Sequence, residues 1–80
     1  MYLYVLKSIK YPKTYVGITS NVQRRLSEHN SGRTGFSKRY KPWRLLCVEE
    51  FPTRVEARAR EQYYKSAAGR KAIKRLLSGV

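Results

Sequence analysis

The chain has 80 residues, with 18 lysines and arginines against 5 acidic residues and a net charge of +13. A chain this short buries only about 60% of the surface it exposes unfolded, so one domain over 1–80 with a small core is expected. The one-sided charge points to a polyanionic partner, and no run long and apolar enough for a bilayer or patterned as a signal peptide is present, so the chain reads as a soluble, unexported, cytoplasmic protein with no membrane partner.

All five acids are glutamates (Glu28, Glu49, Glu50, Glu56 and Glu61) and there is no aspartate. A two-metal hydrolytic centre needs several clustered carboxylates and is not expected. The single Cys47 excludes an internal disulfide, and no His or Cys partners stand at zinc spacing.

In chain order, residues 2–7 are aromatic and aliphatic and too few for a helix, giving a first strand closed by a loop with Pro12. Residues 14–18 give a second strand, and the short connection makes the two an antiparallel pair that could bring Tyr4 near Tyr15. Ser20 and Gln23 have capping-box spacing, which predicts a first helix over 21–29.

At about 100° per residue, Val22 and Leu26 mark the buried stripe of that helix. His29 and Arg25 fall about 20° and 60° to one side of Val22, while Arg24 and Glu28 point away to solvent. An always-charged fork at the edge of a packed face suits a phosphate. Taken singly, Arg25 equally fits a pairing with a carboxylate or carbonyl, and His29 a core or C-terminal cap histidine.

Glycines 32 and 35 break the chain, and residues 36–42 lack periodicity, which predicts a mobile basic loop. There Arg33, Lys38, Arg39 and Lys41, interleaved with Phe36, Tyr40 and Trp43, have the composition of a phosphate grip with stacking on unpaired bases, although Trp43 equally suits the core. Residues 43–51 form a continuous apolar run, expected to be a central strand buried on both faces. Thr53 and Glu56 make a second capping box opening a helix through Val55, Ala59, Tyr63 and Ala67 that closes at Gly69. Residues 70–78 form a third helix with an Ile73, Leu76, Leu77 stripe opposite Arg70, Lys71, Lys74 and Arg75. Glu61 has Arg58 at i−3 and Lys65 at i+4, the spacing of a surface ion pair.

Tyr2-Leu3-Tyr4, then Tyr15-Val16-Gly17 with the two motif tyrosines, Tyr4 and Tyr15, eleven positions apart, then Arg25, His29 and Glu61, together resemble the GIY-YIG nuclease domain over nearly the whole chain. Tyr2-Leu3 stands where the motif name has Gly-Ile, and no asparagine follows Glu61, a place that Ser66 could take.

The resemblance implies an α+β fold, a small three-stranded antiparallel sheet packed with helices in the order β-β-α-β-α-α, as in small single-domain members without a separate DNA-targeting domain. It further implies a metal-dependent endonuclease, most simply of DNA rather than RNA, acting in repair, recombination or nucleic-acid processing as a monomer or weak dimer. Tyr4, Tyr15, Arg25, His29 and Glu61 would be catalytic, with Gly17 admitting a close approach, Arg25 on the scissile phosphate and Glu61 holding one Mg²⁺ or Mn²⁺. One carboxylate suffices for one such ion when water and substrate oxygens complete its shell. Arg33, Lys38, Arg39, Tyr40, Lys41, Arg70, Lys71 and Lys74 would bind nucleic acid. The alternative is a non-catalytic basic nucleic-acid-binding module of the same fold.

Overall fold

Three strands, β1 (Tyr2–Ser8), β2 (Thr14–Thr19) and β3 (Trp43–Glu50), form one antiparallel sheet in the order β2-β1-β3. The computed structural model describes residues 1–33 and 35–78. Among these described residues four helices follow or interrupt the strands: α1 (Val22–Ser31), α2 (Gly35–Arg39), α3 (Arg54–Lys65) and α4 (Ala67–Leu77). The α+β architecture is the expected one, with the five-residue α2 interposed before β3.

Side chains alternate along β1 and so divide the core in two. Leu3 and Val5 join Val16, Tyr64 of α3 and Ile73 of α4 on one face, while Tyr4 and Leu6 join Trp43 on the other, packed against Tyr15 and against Val22 and Leu26 of α1. The central, doubly covered strand is therefore β1, in which Leu3, Val5 and Leu6 are wholly buried.

Residues 43–51 do not form the central strand expected from their composition. They supply an edge strand, in which Leu45 and Val48 stay 39% and 40% exposed. The register explains the apolar run. Val5 pairs with Cys47 but Leu6 pairs with Leu45, so Leu46 is an inserted bulge residue, and both Leu46 and Cys47 pack on the α3–α4 core. At the start of this edge, the Asn30 side chain donates to the Trp43 carbonyl and accepts from its N–H, closing part of an otherwise open strand edge.

Three further boundaries differ from expectation. Asn21 caps α1, its Oδ1 accepting from the Arg24 N–H, in place of Ser20. The basic segment is not a structureless loop: Ser37 of α2 is buried, and the Trp43 indole N–H donates to its carbonyl at 2.9 Å, so Trp43 belongs to the core. The α3–α4 break falls at Ser66, which caps both helices, and Gly69 lies inside α4 instead of ending α3. Thr53 does cap α3, accepting from the Glu56 N–H.

The buried face of α3 also differs. Val55 is 78% exposed, and the residues facing inward are Ala57, Glu61 and Tyr64. A stripe chosen by apolar character misses this face because a glutamate sits in its middle. On α4, Ile73 is buried while Leu76 and Leu77 remain partly exposed.

Candidate active site

The β1–β2 register places Tyr4 opposite Gly17 and Leu6 opposite Tyr15, so both motif tyrosines point to the α1 face of the sheet. Their rings lie 6.1 Å apart, and the His29 ring lies 4.6 Å from that of Tyr15. Gly17 is required by this packing. A Cβ there would lie 2.5 Å from the Tyr4 hydroxyl oxygen, so the close approach it admits is that of a phenol ring.

Helix α1 supplies Arg25 and His29 from one side, as its periodicity requires. Tyr4 Oη lies 3.0 Å from His29 Nε2, and Arg25 Nε donates to the same Oη at 3.4 Å. Tyr4 Oη and His29 Nε2 share one proton, and a Tyr4 O–H donating to Nε2 corresponds to the imidazole tautomer protonated on Nδ1.

Electrostatics favour the uncharged form of both partners. Burial pushes the Tyr4 phenol up to about 12, with the charges of Tyr15 and Glu61 adding to the rise and Arg25 opposing it. Burial, then the neighbouring Arg25 charge, hold His29 below its ordinary 6.5. Both groups are therefore neutral near pH 7, and Arg25 is held charged by its bonds to Tyr4 and Glu28.

Glu28 does not stand aside in solvent as its angle predicts. It accepts from Arg25 Nη1 at 3.0 Å and from Arg24 Nε at 3.4 Å, and the Arg25 bond holds its carboxyl below the usual carboxylate range. The i,i+3 spacing from Arg25 is the signal in the sequence that points to this pair.

Glu61 lies on the buried face of α3 and is 9% exposed. Its carboxylate pairs with Arg58 at 3.6 Å and Lys65 at 3.4 Å, the partners its spacing predicts. Among the described residues no three His, Cys, Asp or Glu side chains cluster as a metal cage. One carboxylate whose cationic partners are both more than half exposed fits the kind of site in which Mg²⁺ takes one protein oxygen and fills its octahedron with water and phosphate. Ser66 does not reach the site, because its hydroxyl donates to the Tyr63 carbonyl and accepts from the Gly69 N–H.

The five candidate catalytic residues thus divide by access. Tyr4 and His29 are buried, Glu61 nearly so, and Tyr15 and Arg25 reach the surface. Of the candidate nucleic-acid contacts, Arg70 joins the site directly, lining a cleft with Tyr15, Phe36, Tyr64 and Lys65. Arg33, Lys38, Arg39 and Lys41 are exposed around α2, with Tyr40 half-buried beneath Lys13, and Lys71 and Lys74 are exposed on α4.

Similarity to known proteins extends over most of the chain. The family model described as the GIY-YIG catalytic domain matches residues 1–74. A UPF0213 protein of Staphylococcus saprophyticus is 30% identical over 79 residues, covering 98% of this chain and 95% of its own length. A UPF0213 protein of Clostridium perfringens is 35% identical, covering 80% and 69%. The structure-specific endonuclease subunit SLX1 of Debaryomyces hansenii is 38% identical over 65% of this chain, which spans 17% of that subunit. No solved structure matches the chain significantly. With a family match covering nearly the whole sequence and the motif tyrosines, arginine and histidine gathered on one face of the sheet, the chain belongs to the GIY-YIG catalytic domain family.

Proposed function

We propose that this chain is a metal-dependent endonuclease that hydrolyses phosphodiester bonds of nucleic acid, with DNA favoured over RNA. The observation that carries the reading is the chain of groups Arg25 Nε to Tyr4 Oη to His29 Nε2, one cation and two proton-handling groups within hydrogen-bond reach of one another. The SLX1 relatives, named as structure-specific endonuclease subunits, support the same chemistry.

Arg25 binds a non-bridging oxygen of the scissile phosphate through its outer guanidinium nitrogens, while Tyr4 and Glu28 fix the orientation of the fork. Tyr15, at the surface beside His29, positions the attacking water. As that water adds to phosphorus, its proton passes to Tyr4 Oη and the Tyr4 proton moves to His29 Nε2, leaving an imidazolium. Tyr4 never has to exist as a free phenolate, which its raised pKa of about 12 makes unfavourable at neutral pH. The 3′ oxygen departs with the P–O bond electrons and takes a proton from solvent.

Glu61 would hold the single Mg²⁺ or Mn²⁺, releasing Arg58 and Lys65 toward the substrate. Such an ion would supply positive charge against the charge that develops on the phosphoryl and leaving oxygens. Arg33, Lys38, Arg39, Tyr40, Lys41, Lys71 and Lys74 extend the contact along the strand, giving salt-sensitive affinity. The role that follows is a cytoplasmic one in repair, recombination or processing, performed by a monomer or weak dimer.

The test is the chemistry of the products. Labelled DNA and RNA incubated with Mg²⁺ or Mn²⁺ should yield 5′-phosphate and 3′-hydroxyl ends, and EDTA should abolish the products. Intact strands on every substrate form, together with binding indifferent to the metal, would instead establish the non-catalytic binding module.

A further inference from the structure

Phe36 is 49% exposed beside the partly exposed tyrosine of the site. Its ring centroid lies 6.2 Å from Tyr15, 6.3 Å from Trp43 and 5.1 Å from Tyr40, and its plane is within 32° of Tyr15 and 35° of Trp43. About half of this residue is thus open to solvent at the margin of an aromatic cluster. Single exposed apolar residues are ordinary, but this one forms a wall of the cleft that contains Tyr15, Lys65 and Arg70, and no carboxylate lines that cleft.

The backbone beside the ring is anchored. The next residue, Ser37, is buried, its carbonyl accepts from the Trp43 indole, and its hydroxyl-bearing side chain lies in the core. A rigid aromatic wall pays little conformational entropy when a flat group stacks on it.

We propose that Phe36 is a stacking platform for an unpaired nucleobase of the bound strand, with Lys65 and Arg70 contacting the phosphates that flank it. The ligand class follows from the combination of features. A flat apolar wall between cations suits a group that is aromatic in the middle and anionic at both ends, which describes a nucleotide within a strand. A base inside a duplex has both faces covered by its neighbours, so only an unpaired base can present a face to this ring. The platform rests on the reading of the cleft as a nucleic-acid site, and gives that site a preference for unpaired over fully paired substrate.

Binding is measured by fluorescence anisotropy in EDTA, so that turnover is not needed. The probes are a labelled single strand, the same strand in a blunt duplex and the same strand carrying abasic residues, with DNA and RNA versions run in parallel to separate the two backbones. Phe36→Ala should weaken single-strand binding about tenfold and leave duplex and abasic binding unchanged, while Phe36→Tyr and Phe36→Trp retain wild-type affinity. Equal loss on all three probes, no loss on any, or failure of both aromatic variants to restore binding overturns the proposal. If these differences hold while no substrate is cut with Mg²⁺, the nuclease reading fails and the platform stands.

Discussion

Tyr4 Oη and His29 Nε2 lie 3.0 Å apart across 25 residues of sequence, both side chains wholly or almost wholly buried. Burial together with the Arg25 charge keeps the folded-state pKa of His29 below 6.5. The unfolded chain therefore binds a proton at a higher pH than the folded one, so stability contributed by His29 is fully present above about pH 6.5 and is lost as pH falls toward the lowered folded value. Chemical denaturation from pH 7.5 to 5 should show this decline, and His29→Gln should flatten it. The rate of strand cleavage should have an acid limb with its midpoint below 6.5, read from initial rates across the same range.

Gly17→Ala places a methyl group 2.5 Å from the Tyr4 hydroxyl oxygen, well inside contact distance. Overpacking of this kind costs about 1–3 kcal/mol, and an ångström-scale shift of Oη is enough to lower turnover by about 100-fold. Thermal melting and single-turnover cleavage on the same preparation check the two effects.

Glu28→Ala frees Nη1 of Arg25 while its Nε bond to Tyr4 remains. An ion pair that solvent still reaches on both partners contributes little to stability, so the melting temperature should barely move. The loss should appear in kcat, by about tenfold, with Glu28→Gln recovering part of it because an amide oxygen still accepts from Nη1.

Gly69→Ala should destabilise, although alanine is ordinarily favoured over glycine in a helix by about 1 kcal/mol. A Cβ at residue 69 would overlap the Tyr63 carbonyl and the Tyr64 Cα, backbone groups that cannot swing aside. The α3–α4 hairpin must open to admit it, and the expected change exceeds about 2 kcal/mol by urea titration.

Much of the fold is legible in local pattern. The strand pair, the cap at Thr53 and the inward stripe of Val22, Leu26 and His29 follow from residue type and periodicity. The edge position of β3 is not legible, because a bulge at Leu46 removes the alternation that would have marked an edge strand. Nor is the inward face of α3, since hydrophobicity ranks Val55 above Glu61 while the fold buries Glu61. For the site, Arg25 and His29 are visible as neighbours on one turn of helix. Their meeting with Tyr4, 21 and 25 positions away in sequence, needed the tertiary structure.

Turnover by the Arg25–Tyr4–His29 group, with Glu61 as the ion's carboxylate, is tested most directly by single-turnover cleavage of an end-labelled strand under saturating enzyme with Mn²⁺ or Mg²⁺. Wild type, Arg25→Ala and Glu61→Ala are compared after circular dichroism shows that each is folded. Wild type should cut, both variants should be slower by at least about 100-fold, and Glu61→Ala alone should regain rate as the metal concentration is raised. Equal rates for wild type and Arg25→Ala, or no cleavage by any of the three on single-stranded, branched and duplex substrates, would contradict the account.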